Sequence, residues 1–555
     1  MSTTVHRLQT TQVDAKGIAL LRRSFQDWLL IILVFVAGAT LLSVELSASR
    51  LLAPYFGTSL FVWANLIGLI LLYLTVGYYV GGRLTDRYPY PIVLYALTSI
   101  AALLISAIPL IARPILSWSL TAFATLSVGV FYGSLISVIL LFAIPVILLG
   151  CVSPFAIRLL VDQIGESGRT SGMLYAISTT GSIVGTFLPV LVLIPTIGTR
   201  YTFIAFAVTL LFVSIIGLIT TSARIDSSCI PDRAKKSIST IKNSFPILLF
   251  IPLLLMLTGL QGPIKPVSGG GGAVLLTERE SLYNYIQVIR FRNYTLLALN
   301  EGLALHSIYN PYRILTNGPW DYFSIAPYFN NPPFMQQKVR RVCIVGLGAG
   351  TIPRELTAAY GPIPIDGVEI DKAIVDLGRE YFAMNEPNLN VIIQDGRYYM
   401  DATNHRYDII GLDAYQQPYI PFQLTTVEFF RTLQAHLSPT GVVMMNVGRV
   451  GTDFRLVAAM AQNLHSVFPN VYIISPRGSS YSLLVATVAP TKLANFWINT
   501  QRLTNPLLRI VAGEVRTAGN VREEKAAKVL FTDDRAPVEQ LIDSIIFSVV
   551  QQIKR

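Results

Sequence analysis

Residues 342–351 read VCIVGLGAGT, an apolar run followed by glycines at positions 346, 348 and 350. Glycine lets a backbone turn sharply and lets a ligand approach it closely. A helix starting near Thr351 would point its first amide groups at that ligand. Three carboxylates follow at the ends of further apolar runs: Glu369 after IDGV, Asp395 after NVIIQ, and Asp413 after YDIIGL. Glu369 lies 19 residues beyond Gly350. A carboxylate at the end of a second strand can accept both ribose hydroxyl hydrogens. Asp395 is placed to meet an adenine amino group, and Asp413 is delivered to the same edge. Asp371, just before KAIVDLGREYF, has the short acceptor side chain of a helix N-cap.

These residues converge only if the runs form one parallel sheet. Ligands in such sheets sit beyond the carboxyl ends of the strands. The alternation of strand and helix patterns over this region predicts an α/β Rossmann-like domain. A dinucleotide fingerprint wants its third glycine three residues after the second, at position 351. That position is Thr351, and the glycine stands at 350. The tighter spacing is similar to the first motif of S-adenosylmethionine methyltransferase-type folds.

The rest of the chain is of a different kind. Of its 555 residues 52% are hydrophobic and only 14% charged, which points to a membrane protein with more than one domain. The net charge of +11 does not imply nucleic acid. Residues 1–262 carry a net +8 and the remainder only +3, so the excess sits where loop charges orient membrane helices. Cys151, Cys229 and Cys343 are far apart and form neither a metal spacing nor a disulfide framework. No metal is expected.

Apolar runs of spanning length predict helices near 28–49, 60–81, 91–112, 132–157, 172–196, 201–221 and 244–261. The stretch 114–131 reads as an interfacial helix or an eighth span. With the N-terminus in the cytoplasm, inner segments carry 13 Lys/Arg and outer ones three. Seven spans would put the C-terminal half outside. Glu45 and Arg50 fall within or at the end of the first run. They read as a structural ion pair, an end charge or a ligand-handling pair. The expected organisation is a helical membrane bundle of about seven spans over 1–262, a Gly/Pro linker over 263–273, a small β-hairpin domain over 274–325 and the Rossmann-like domain over 326–555.

The segments ESLYNYIQV, GLGAGTIPRE, VEID, QDGRYYM and YDIIGLDAYQQPYIPFQLTTVEFF together resemble the spermidine synthases, or polyamine aminopropyltransferases, over about 274–490. FTDDRAPVEQL, GATLLSVELSASRLLAPYFGTS and GMLYAISTTGSIVGTFLPVLVLIPTIGTR are similar to the membrane-fused bacterial branch. The resemblance implies a multi-pass cell-membrane protein that moves an aminopropyl group from decarboxylated S-adenosylmethionine to an amine such as putrescine, with a homo-oligomer possible. It implies Asp413 as the base, Glu369 on ribose, Asp395 on adenine, and Gly346, Gly348 and Gly350 beneath the cofactor. Two acids of the family pattern are replaced here, by Ala349 and Gln416. Tyr415 and Asp321 are the residues left to serve the substrate end, and Ala349→Asp is expected to favour putrescine. Methyl transfer from intact S-adenosylmethionine, and a transporter or sensor with a nucleoside- or polyamine-binding domain, are the alternative readings.

Overall fold

The structure is a computed structural model. It describes residues 2–56, 60–123, 129–161, 167–222, 272–300, 305–415, 420–449, 451–517, 520–523 and 531–545 except Glu539 and Asp543, with a few isolated positions between 251 and 267. The chain divides into two compact units, the first ending at Ile264 and the second beginning at Lys265.

The first unit is helical: α1 (Ser2–Phe56), α2 (Leu60–Arg87), α3 (Pro91–Phe123), α4 (Gly129–Gly150), α5 (Val152–Leu160), α6 (Ser167–Leu188) and α7 (Ile194–Ser222), with one π-helical turn (Pro189–Leu193) joining the last two. Among the described residues five helical stretches are long and apolar enough to cross a bilayer: Phe25–Phe56, Val62–Arg87, Pro91–Ser119, Phe131–Leu160 and Ser167–Thr221. The fifth is 55 residues long and bends at Gly198, whose backbone is non-helical. The runs expected near 172–196 and 201–221 lie on either side of that bend. Residues 114–123 continue α3 and do not form a separate element. The run expected at 244–261 lies almost wholly outside the described residues.

What holds the helices together follows from their composition. In lipid, a helix that is apolar all round would gain nothing from burying one face, and close backbone approach and interhelical hydrogen bonds would supply the attraction. A Cβ on Gly185 of α6 would come within 2.0 Å of the Ala39 carbonyl oxygen on α1. Ser214 on α7 donates to Thr98 on α3 at 2.7 Å. Leu71, Ile144, Phe187 and Phe212 remain more than half exposed, as lipid-facing side chains would.

The second unit contains two sheets. Strands β1 (Ala273–Glu280), β2 (Tyr285–Phe291), β3 (Tyr294–Leu299) and β4 (Leu305–Tyr309) form an antiparallel meander in sequence order. The larger sheet contains β5 (Val342–Val345), β6 (Ile365–Glu369), β7 (Leu389–Ile393), β8 (Tyr407–Leu412), β9 (Leu437–Gly448), β10 (Asn470–Ile474), β11 (Tyr481–Thr487) and β12 (Val521–Glu523). Their order is β12-β10-β11-β9-β8-β5-β6-β7; the pairs among β5 to β9 are parallel, and the β9–β11, β11–β10 and β10–β12 pairs are antiparallel.

Both faces of this sheet are covered, so its central strands are apolar throughout. On β5, Cys343 and Val345 enter one core with Phe429, Phe430 and Met460, while Val342 and Ile344 enter the other with Phe323, Phe329 and Phe496. The crossover helices are α8 (Thr351–Tyr360), α9 (Lys372–Tyr381), α10 (Gly396–Ala402) and α11 (Val427–Ala435); α12 (Arg455–His465), α13 (Leu493–Thr500) and α14 (Pro506–Val515) complete the layers. The chain leaves β5 for β6 on one side and later reaches β8 on the other. A crevice therefore opens beyond β5, where the strand order reverses.

Gly185→Leu is expected to destabilise the helical unit by about 1–3 kcal/mol through overpacking. Gly168→Leu, at an α6 position with nothing within 4 Å, is the matched control and should be near neutral. Detergent-solubilised protein heated before size-exclusion chromatography would separate the two; equal survival would remove the close-approach argument.

Candidate active site

The crevice beyond β5 has a volume of about 380 Å³. Its lining includes Gly346, Gly348, Glu369, Asp395, Asp413 and Tyr415. Residues proposed from four separate strand ends thus meet in one place.

The glycine turn is backbone chemistry. Gly346 has φ +88°, and a Cβ there would meet the backbone of Asp413 and Ala414 at 2.6 Å. Gly348 and Gly350 also have positive φ, and Gly350 is the left-handed N-cap of α8. Glu369 closes the turn: its Oε2 accepts from Gly348 N at 2.9 Å and its Oε1 from Asp371 N at 3.1 Å. Burial pushes the Glu369 carboxyl up to about 7, against the pull of those amides. Asp371 caps α9 by accepting from Ala373 N, and also takes hydrogen bonds from Ser281 and Asn284. Asp395 sits where β7 meets α10. Its Oδ1 accepts from the amides of Arg397 and Tyr398, so that oxygen caps the helix.

Asp413 is held at both oxygens. Oδ1 accepts from Asn446 Nδ2 at 2.9 Å and Oδ2 from the Trp320 indole N–H at 2.8 Å. Burial raises its carboxyl to about 7, and the two hydrogen bonds oppose that rise. A carboxylate titrating near neutrality is suited to accept a proton at physiological pH. The Tyr415 hydroxyl is already committed: it donates to Asn446 O at 2.8 Å and accepts from Gly448 N at 2.6 Å. Tyr415 therefore offers the crevice an aromatic ring.

Two expectations are corrected. Asp321 does not line the crevice. It is 2% exposed, and its oxygens accept from Thr316 N, Thr316 Oγ1 and Asn317 N, so it locks the turn that leads into Trp320. Ala349 is 1% exposed and packs in an apolar cluster with Ile286, Val288, Leu299 and Leu377. A carboxylate there would be buried without a partner, so Ala349→Asp is now expected to destabilise the unit and not to favour putrescine.

Trp320 carries no sequence signal as simple as the acids do. Trp320 reaches Asp413 across 93 residues. Asn446 was findable: it is a polar residue near the carboxyl end of the apolar run VVMMNVG, the same pattern that marks Glu369 and Asp413.

The donor set fits a cationic nucleoside. Three carboxylates line the crevice, and no Lys or Arg is among its described lining residues. A pyrophosphate would meet repulsion there, while a sulfonium and an ammonium would not. Gly346, Gly348, Glu369 and Asp395 are the residues that would hold the nucleoside. No group of three or more metal-type side chains occurs among the described residues.

Asp413 and Glu369 also set a pH dependence of stability. Both are held up to about 7, against about 4 for an unfolded carboxyl. Between those values the folded chain binds more protons, so stability falls as pH rises from about 4 to about 7. Asp413→Asn should make that fall shallower, read as melting temperature from pH 4.5 to 8. An unchanged slope would contradict the burial of this carboxyl.

Residues 329–492 match the model described as the spermine/spermidine synthase domain. The chain is 32% identical over 296 residues to a probable polyamine aminopropyl transferase of Bifidobacterium longum, covering 49% of this chain and 64% of that one. It is 28% identical over 251 residues to a polyamine aminopropyltransferase of Vibrio vulnificus, covering 44% and 82%. The crystal structure of a probable spermidine synthase from Corynebacterium glutamicum aligns over 48% of this chain and 98% of its own, at 19% identity and a TM-score of 0.35. The chain thus spans just under two thirds of the Bifidobacterium relative and about half of it lies outside that similarity.

Proposed function

We propose that the second unit is an aminopropyltransferase of spermidine synthase type. It would move the aminopropyl group of decarboxylated S-adenosylmethionine to a primary amine, with putrescine as the reference acceptor. The helical unit would anchor it in the cell membrane. The observation that carries this reading is Asp413, a carboxylate near neutral pKa fixed at both oxygens beside a glycine turn.

When bound, the nucleoside supplies the electrophile: its sulfur-bound carbon accepts the amine lone pair, and the C–S electron pair stays on sulfur as methylthioadenosine leaves. The chain's part is positioning and proton transfer. The amine must be neutral to attack, and Asp413 accepts the proton it sheds. Trp320 and Asn446 keep that carboxylate from rotating away. Glu369 holds the glycine turn through Gly348 N, and would exchange that bond for ribose hydroxyls. Tyr415 walls the crevice with its ring. The relatives named polyamine aminopropyltransferase favour this reading over methyl transfer.

The full chain, supplied with decarboxylated S-adenosylmethionine and an amine panel, should release methylthioadenosine and aminopropylated product by mass spectrometry. With intact S-adenosylmethionine, methylated product would favour the other transfer. Asp413→Asn should lower turnover about 10²–10⁴-fold while sparing nucleoside binding; unchanged turnover would reject the base. Turnover per substrate bound should rise with pH through about 7 as Asp413 ionises. Trp320→Phe removes a bond that favours the carboxylate, so that limb should move to higher pH. A limb that stays in place would remove Trp320 from the account.

A further inference from the structure

We infer that the acceptor is an amine with a single basic nitrogen on an apolar body, and not a diamine. The inference rests on the aminopropyltransferase reading and concerns the acceptor end of the same crevice. A diamine is a dication in water. When one end is made neutral for attack, the other still carries a charge that needs an anionic partner, and a buried ammonium without one is costly.

The crevice offers three carboxylates among its described residues: Glu369, Asp395 and Asp413. Glu369 accepts from Gly348 N and Asp371 N and, on the aminopropyltransferase reading, serves the ribose. Asp395 gives one oxygen to the start of α10. Both stand on the β6 and β7 side, where the nucleoside would lie. Asp413, on β8, is left to serve the amino group of the aminopropyl chain and the incoming nitrogen together. None of the described lining residues adds a fourth acid.

The rest of the lining is suited to a neutral body. Tyr415 presents its ring because backbone groups occupy its hydroxyl. Tyr283 and Phe422 line the crevice while 40% and 51% exposed, and Ile370 beside them is 36% exposed. Large apolar side chains left open at the mouth of a crevice fit a ligand that covers them. Such an amine is either a free alkylamine or a membrane-borne one. The two share the chemistry that the crevice would read.

The test uses the detergent-purified full chain with decarboxylated S-adenosylmethionine. n-Hexylamine and putrescine are compared as soluble acceptors, and octadecylamine is supplied in phosphatidylcholine vesicles. Aminopropylation of hexylamine or octadecylamine with kcat/KM at least about 10-fold above that of putrescine is expected, and whichever arm is faster identifies the source. Equal or greater efficiency with putrescine overturns the inference while leaving the transferase reading intact. No aminopropylated product from any amine overturns both. As a second measurement, Tyr283→Glu adds an acid at the mouth and should shift the putrescine-to-hexylamine ratio upward by about 5-fold or more. A ratio unchanged in a folded variant counts against the charge argument.

Discussion

The architecture of the second unit depends on one steric fact. The turn after β5 passes so close to the end of β8 that position 346 has no room for a Cβ: the backbone of Asp413 lies 2.6 Å from where it would be. That contact ties the floor of the crevice to the strand that carries Asp413. It also explains why the crevice lies where it does. β5 is central, its neighbours β6 and β8 are reached by separate crossovers, and the gap between their ends brings the turn and both carboxylates to one crevice.

Around that contact the polar groups hold one another. Glu369 grips the turn, Asp371 caps α9 and reaches to Ser281 and Asn284, and Trp320 and Asn446 hold Asp413. Glu369 and Asp413 are each buried enough for the carboxyl to resist ionisation, yet are given donors that favour the charged form. The opposition of burial and hydrogen bonding leaves both near neutrality, which is the range in which a carboxylate can exchange protons with an amine. Asp321 belongs to the same system at one remove, because the turn it locks delivers Trp320.

Much of this was legible because local chemistry and position coincide. Glycines after an apolar run, and acids ending the next three runs, announce a parallel sheet with a polar rim; Val342–Val345, Ile365–Glu369 and Tyr407–Leu412 are strands for that reason. What sequence reasoning missed depends on distance along the chain. Nothing near Trp320 indicates that its indole will meet a carboxylate 93 residues away, and nothing near Ala349 indicates that strands β2 and β3 will cover it. Asp321 was misassigned because a buried turn acid and a ligand-binding acid look alike until their donors are known. In the helical unit, the bend at Gly198 sits at a glycine between two apolar runs, so those two runs were separable, while the continuation of α3 through Pro114 to Phe123 was not.

The central claim is that a sulfonium nucleoside rests on the turn at Gly346. Calorimetric titration of the full chain with methylthioadenosine, the nucleoside left when the aminopropyl group departs, tests it most directly. Saturable uptake at one site per chain is predicted, lost in Gly346→Val and kept in Gly513→Ala, where a side chain meets nothing within 4 Å. No saturable heat from folded wild-type protein, or undiminished binding by Gly346→Val, would contradict the account.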